Sequence, residues 1–168
     1  RLRDLPAEST RANAVVVTKC PKEMQPIERR IVSNSLHLAS YQQLYYSSIR
    51  YADVSLSSTP LLIAGVANPQ PMLMHLRQYF PDTELLAFAD HHDFTKQDIQ
   101  EILSKADNYQ HVITTEKDLM RMQQTCLIEA LADKLKVLSI QTDFGIDQAA
   151  FDRQILLYVS ENNRSVKL

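Results

Sequence analysis

The amino-acid sequence predicts an α/β protein with a mainly parallel sheet flanked by helices. Short apolar or β-branched runs alternate with segments of helical period, as in strands joined by helical crossovers. Several of these runs are continuously apolar, which is typical of strands covered on both faces. The composition is globular, since 45% of the 168 residues are hydrophobic and 23% are charged. That length suffices for one domain or one and a half.

The first part of the chain predicts one strand, one helix and an extended segment. The β-branched run over residues 14–18 predicts a strand covered on both faces. From Pro26 to about residue 38 the spacing predicts a helix with Ile27 and Ile31 on its apolar face. Residues 41–58 mix tyrosines with Ser and Gln and have no helical period. They predict either a two-strand ribbon linking two lobes or an ordinary pair of sheet strands.

The remainder repeats a strand–helix pattern. Residues 61–65 and 84–87 predict strands, and the chain enters a helix through Asn68-Pro69 after the first of them. Thr95 is a plausible N-cap, with an acidic residue three positions later. The later elements predicted are a strand around 112–113, a helix over 116–133, a last strand over 135–140 and a final helix marked by Phe151, Ile155, Leu156 and Val159.

These elements suggest four parts of a larger molecule. We expect residues 1–40 to be the end of an amino-terminal lobe and 41–58 to link the lobes. Residues 59–145 then form the carboxyl-terminal α/β lobe, and 146–168 a helix that returns to the amino-terminal lobe. Because the sequence opens with Arg1-Leu2-Arg3-Asp4 instead of Met, we expect a carboxyl-terminal fragment.

Charge and cysteine content exclude several classes of protein. The net charge is −2, without the basic surface that nucleic-acid binding requires. The longest apolar run, over residues 61–67, is too short to cross a membrane. Two cysteines, Cys20 and Cys126, are too few for a disulfide framework and favour a reducing cytoplasm.

Glycine content excludes a phosphate loop. Gly65 and Gly145 are the two glycines of the chain, so neither Gly-x-x-x-x-Gly-Lys nor Gly-x-Gly-x-x-Gly can occur. We therefore expect this chain not to hold a nucleoside triphosphate by itself. The helix starts after Gly65 and Thr115 could still take a single phosphate.

Asp90-His91-His92-Asp93 is the densest group of ionisable residues in the chain. Three interpretations remain open: a metal site, an acid/base pair, or a polar loop whose acids cap the next helix. Adjacent histidines in extended backbone point to opposite faces, which disfavours one shared metal ion. In residues 114–118, Thr115 predicts a helix cap, and Lys117 could contact an anion.

Five motifs follow one another along the chain. They are Arg1-Leu2-Arg3-Asp4, Ala12-Asn13-Ala14-Val15-Val16-Val17-Thr18-Lys19, Ala64-Gly65-Val66-Ala67-Asn68-Pro69, Phe88-Ala89-Asp90-His91-His92-Asp93-Phe94 and Thr114-Thr115-Glu116-Lys117-Asp118. In this order they resemble the carboxyl-terminal half of the tetraacyldisaccharide 4′-kinases, the lipid A 4′-kinases of Gram-negative bacteria.

The resemblance implies an enzyme similar to P-loop kinases, which uses ATP and Mg²⁺ to phosphorylate a sugar hydroxyl of a disaccharide lipid. It implies that the phosphate loop, the metal ligands and the membrane contact lie in an amino-terminal half outside this chain. His91, beside Asp90, would support an aspartate base from that half. Arg1, Arg3, Asn68 and Lys117 would be substrate or phosphate contacts. The location implied is cytoplasmic, on the inner face of the inner membrane.

Two other functions stay open from the sequence. An Asp-His-His manganese phosphoesterase would share the central motif, and a non-catalytic α/β binding module would share the fold. If the kinase interpretation holds, we expect the isolated chain to fold without kinase activity, because the groups that carry most of phosphoryl transfer are elsewhere.

Overall fold

A computed structural model describes residues 6–90 and 92–164. The strands are β1 (Ala14–Cys20), β2 (Gln43–Tyr51), β3 (Leu61–Ala64), β4 (Glu84–Ala87), β5 (Val112–Thr114), β6 (Leu135–Val137) and β7 (Ile140–Asp143). The α-helices are α1 (Pro26–Leu36), α2 (Gln70–Arg77), α3 (Lys96–Ala106), α4 (Glu116–Met122), α5 (Leu127–Ala130) and α6 (Gln148–Arg164), with 3₁₀ turns at Pro6–Arg11 and Gly145–Asp147. The predicted α/β class with a mostly parallel sheet is confirmed.

The chain divides into two compact units. One contains the described residues up to Arg50 together with those from Gln141 onward, and the other runs from Tyr51 to Ile140. In the first unit β2 lies between β1 and β7. β1 pairs in parallel with β2 from Ala14 opposite Gln43, and the pairing becomes irregular between Val17 and Cys20. Lys19, inside that irregularity, has a φ of 60°, an unusual backbone conformation for a side chain other than glycine.

Helix α1 presents the opposite face from the one predicted. Ile27 is 61% exposed and Ile31 is 62% exposed, so the apolar face points away from the sheet of its own unit. Arg29 faces that sheet instead: its guanidinium lies 4.6 Å from the centre of the Tyr46 ring and pairs with Asp147 at 3.2 Å. The prediction was wrong because a cation–π contact and an ion pair hold an arginine where helical period alone favours isoleucine.

Three further expectations need correction. Strand β1 is half-buried, not covered on both faces. Residues 41–58 form neither a two-strand ribbon nor a pair of sheet strands, because β2 is one nine-residue strand and residues 52–60 contain no strand. The predicted last strand, 135–140, is divided between β6 and β7, which belong to different sheets.

The helix predicted over 116–133 is also interrupted. Helix α4 ends at Met122 and α5 begins at Leu127. Thr125 causes the interruption, because its hydroxyl donates to the Met122 carbonyl at 2.7 Å and accepts from the Leu127 amide at 3.1 Å. These side-chain bonds take the place of the continuing helical ladder.

The second unit is a four-stranded sheet of order β4-β3-β5-β6, in which every neighbouring pair is parallel. β3 is buried on both faces and supplies alternate residues to two apolar clusters. Leu61 and Ile63 join the cluster that includes Ile102 and Met122, while Leu62 and Ala64 join the cluster of α2. Both faces of the sheet are therefore covered, as parallel sheets require.

The topology brings the ends of β3, β4 and β5 to one edge of this sheet. β3 is the common neighbour, with Ile63 opposite Leu86 on one side and Thr114 on the other. The carboxyl ends of these three strands therefore lie side by side, and the space framed by the loops that follow them is called the crevice below. In the part of the chain that the structure describes, no helix combines the length and apolar character needed to cross a bilayer.

Candidate functional site

Asp118 is the centre of the crevice at the carboxyl ends of β3, β4 and β5. It lies in the first turn of α4 and is fully buried. Its Oδ2 accepts the Gly65 amide at 2.9 Å and the Thr115 hydroxyl at 2.8 Å. The Thr115 hydroxyl in turn accepts the Asp118 amide at 3.0 Å, which confirms Thr115 as the N-cap. One carboxylate therefore ties the end of β3 to the start of α4.

Arg121 completes this buried group from the next turn of α4. Its Nη1 lies 3.2 Å from Asp118 Oδ1 and donates to the Gly65 carbonyl at 3.2 Å. Both polar backbone atoms of Gly65 are thus engaged by side chains of α4. The burial of Asp118 is tolerable because the carboxylate has a cation and two further donors.

Gly65 is required here by space. A Cβ at this position would lie 2.9 Å from Asp118 Oδ1 and 3.5 Å from the Ala89 carbonyl oxygen. The first distance is closer than carbon and oxygen approach without displacement. Close packing against a buried carboxylate, not a phosphate-binding turn, explains this glycine.

Asp90 and Lys117 form an ion pair across the crevice. Lys117 Nζ lies 2.7 Å from Asp90 Oδ1, and the two side chains are 43% and 37% exposed. Two residues named from the sequence as candidates are therefore brought together, Asp90 from the end of β4 and Lys117 from the start of α4. An ion pair with this exposure contributes little stability, but it holds the loop after β4 against α4.

His92 is fixed on the other side of the same loop. Its Nε2 lies 2.8 Å from Asp98 Oδ2, and its ring stacks on Phe88 with the centroids 5.2 Å apart. Phe94 packs its edge against the same imidazole at 5.9 Å. His92 therefore belongs to a structural cluster with α3, which favours the capping-loop interpretation for this one histidine.

Asp98 links that cluster to the start of α3. The Thr95 amide and hydroxyl each donate to Asp98 Oδ2 at 2.7 Å, and the Thr95 hydroxyl accepts the Asp98 amide at 3.2 Å. The predicted cap is thus confirmed as a reciprocal capping box. Hydrogen bonds from the Thr95 side chain, then from His92 and the Thr95 backbone, lower the pKa of Asp98 from 3.8 to about 2.

Of the remaining predicted site residues, the structure describes one. His91, Arg1 and Arg3 lie outside the described residues. Asn68 is exposed on the turn after β3, where its Oδ1 accepts the Gln70 amide at 3.3 Å near the start of α2. Among the described residues, no three His, Cys, Asp or Glu side chains are placed to hold a metal ion.

The sequence reasoning missed the roles of Asp118 and Arg121. It assigned Asp118 to a local cap, and it assigned nothing to Arg121. One signal was available, because a glycine directly after a buried strand, in a chain with two glycines, marks a close approach of another group. That signal does not identify the approaching group.

Fold and crevice together define a class: α/β proteins that gather polar side chains at the carboxyl edge of a parallel sheet, where such proteins bind ligands. Comparison with known families identifies the particular member of this class. The model of the family "Tetraacyldisaccharide-1-P 4′-kinase" matches residues 1–160, and the chain belongs to that family. The resemblance drawn from the five motifs is confirmed.

Curated relatives agree with this assignment. The chain is similar to the tetraacyldisaccharide 4′-kinase of Bacteroides thetaiotaomicron, with 34% identity over 98% of this chain and 51% of the relative. It is 36% identical to the enzyme of the same name from Flavobacterium johnsoniae, over 96% of this chain and 49% of the relative. The enzyme of the same name from Porphyromonas gingivalis is 29% identical, over 88% of this chain and 47% of the relative. The chain spans about half the length of the curated relatives it matches.

Proposed function

We propose that this chain is the carboxyl-terminal part of a tetraacyldisaccharide 4′-kinase. The complete enzyme would transfer the γ-phosphoryl group of ATP to the 4′-hydroxyl of a tetraacyldisaccharide 1-phosphate, a lipid A precursor. The observation that carries the proposal is the family match over residues 1–160, supported by relatives of that name at 34–36% identity.

The chain does not fit ATP or Mg²⁺ by itself. With two glycines it has no phosphate loop, and its described part has no cluster of metal ligands. Phosphoryl transfer depends chiefly on positioning and charge neutralisation by such groups. The proposal therefore assigns the nucleotide and the metal to the half of the enzyme that this chain does not include.

Within this chain the proposal gives His91 a supporting role beside an aspartate base of the other half. The support for this role is the family match over the motif that contains His91. The described neighbours in that motif are anchored, Asp90 to Lys117 at 2.7 Å and His92 to Asp98 at 2.8 Å. Arg1, Arg3, Asn68 and Lys117 are proposed substrate or phosphate contacts, and Lys117 would have to share its charge with Asp90.

The proposed partner of the first unit is the amino-terminal phosphate-loop lobe. Apolar side chains remain exposed on α1 and α6: Ile27, Ile31, Leu156 and Tyr158 are each more than 60% exposed. Exposed large apolar side chains on a helix are one mark of an interface. Residues 1–40 and 146–168 would accordingly complete the amino-terminal lobe, and residues 59–145 would form the second lobe. The enzyme would meet its lipid on the cytoplasmic face of the inner membrane through the other half.

The test is phosphoryl transfer by the protein extended to the length of its relatives. Given ATP labelled at the γ-phosphate and the disaccharide lipid, the longer protein should yield a labelled lipid. The 168-residue chain should yield none, and neither protein should label a substrate whose 4′-position carries no hydroxyl. Absence of transfer by a folded longer protein, or turnover by the 168-residue chain alone, would contradict the proposal.

A further inference from the structure

A cavity in the Tyr51–Ile140 unit lies apart from the group around Asp118 and shares no residue with it. Its volume is about 650 Å³, within the range of about 300–1,000 Å³ typical of sites for small organic ligands. One wall is residues 52–57, a second is the end of α2, and the others come from His111 and β6. Neither the family assignment nor the proposed activity uses this cavity.

The interior of the cavity is mainly apolar and aromatic. Leu76 and Leu138 are almost fully buried, and Val54 and Leu56 pack against the same cluster. At the end of α2 the His75 ring stacks on Tyr51 at 4.7 Å and meets the edge of Tyr79 at 5.7 Å. Such a lining suits the apolar or aromatic part of a small ligand.

Lys136 supplies the cationic group of the cavity. Its ammonium donates to the Ser55 carbonyl, and an ammonium group has three donors in all. His111 stands in the same wall, where its Nε2 accepts the Ser57 amide at 3.1 Å. A lysine with further donors beside a mainly apolar interior suits a ligand that carries an acceptor group.

The placement of the charged groups selects among possible ligands. The lining contains one acidic side chain, Asp53, which is exposed, and one ammonium group, that of Lys136, which is bonded to the Ser55 carbonyl in the cavity wall. We propose that the cavity binds a small amphipathic carboxylate, with its apolar part against Leu76 and Leu138 and its carboxylate toward Lys136. Occupancy would fix residues 52–57, the segment that follows β2 and precedes β3.

Three probes of nearly one shape test the charge requirement: phenylbutyrate, phenylbutanol and phenylbutylamine. Each is titrated into the 168-residue chain while two-dimensional amide NMR spectra are recorded. Phenylbutyrate should cause saturable shifts confined to residues 52–57, the end of α2, His111 and β6. The neutral alcohol should bind more weakly, and the amine most weakly.

Two variants and one control test the assigned residues. Lys136→Met keeps the length of the side chain and should weaken phenylbutyrate binding about tenfold, the loss expected for one charge-assisted hydrogen bond, with little effect on phenylbutanol. Val54→Trp fills the cavity and should weaken binding of both. Lys134→Met is the matched control, because Lys134 donates to the Ala106 carbonyl and does not line the cavity.

Four results would overturn the inference. They are no saturable shifts with phenylbutyrate, shifts centred outside the lining, equal affinity for the carboxylate and the amine, and unchanged affinity in both Lys136→Met and Val54→Trp. The spectrum of each free variant shows whether it is folded, and Val54→Trp changes neither charge nor His111. If one variant does not fold, the other variant and the three-probe comparison in the unmodified chain still test the inference.

Discussion

Replacement of Asp118 is the most direct test of the crevice. Asp118→Ala removes the carboxylate that accepts the Gly65 amide at 2.9 Å and the Thr115 hydroxyl at 2.8 Å, and that pairs with Arg121 at 3.2 Å. The substitution leaves a buried amide without an acceptor and a guanidinium, 17% exposed, without its carboxylate. Two separate penalties therefore act at one position.

The expected loss follows from the burial of this group. Breaking a buried ion pair by removing one partner costs about 3–5 kcal/mol. Because the Gly65 carbonyl still accepts from Arg121, we expect a value near the lower end, about 3 kcal/mol. Against a total stability of about 5–15 kcal/mol, this is a large fraction. Asp118→Asn retains an oxygen for the Gly65 amide and should cost less, about 1–2 kcal/mol.

Urea denaturation followed by far-ultraviolet circular dichroism is the assay, since the chain has no tryptophan. The midpoint should fall while the slope of the transition stays unchanged, as expected for a loss of stability without a change in exposed surface. Asp133→Ala, which removes an equal charge from an exposed turn, is the control. A loss no larger than that of Asp133→Ala, or equal losses for the Ala and Asn variants at 118, would refute the account.

Four other predictions follow from the same structure. Gly65→Ala should cost about 1–3 kcal/mol in the same urea assay, because its Cβ would lie 2.9 Å from Asp118 Oδ1; a neutral result would show that the carboxylate can move aside. The folded-state pKa of Asp98, about 2, lies below its ordinary 3.8, so the stability that this carboxylate contributes is present above about pH 4 and is lost as the pH falls toward 2. In Asp98→Asn the free energy of unfolding should therefore fall less steeply between pH 4 and pH 2, and an unchanged pH dependence in that range would contradict this prediction. In the longer enzyme His91→Ala should lower kcat about 10²-fold with little change in the KM for ATP, while His92→Ala should cost more in stability than in kcat; the reverse pattern would show that the two faces were assigned wrongly. The 168-residue chain should sediment as a monomer or a weak associate, and a tight dimer in analytical ultracentrifugation would contradict this.

Local patterns were predicted well because short-range physics decides them. The β3 strand follows from its apolar run, and the caps at Thr95 and Thr115 follow from a hydroxyl and an acid three residues apart. The predictions that were wrong also have physical reasons. Helical period placed Ile27 inward, although the sheet of that unit offers Tyr46 and Asp147 to Arg29. Thr125 ended α4 through side-chain bonds that residue composition does not reveal.

The sequence by itself determined the class of fold, the absence of a phosphate loop and, through five ordered motifs, the family. Only the tertiary structure decided which groups meet: Gly65 and Asp118 are 53 positions apart, and Asp90 and Lys117 are 27 apart. These contacts depend on which strands are neighbours and in what register. Strand period determines which face a side chain takes, but it does not determine the partner strand. The polar contacts at these strand ends therefore became visible only when β3 was placed between β4 and β5.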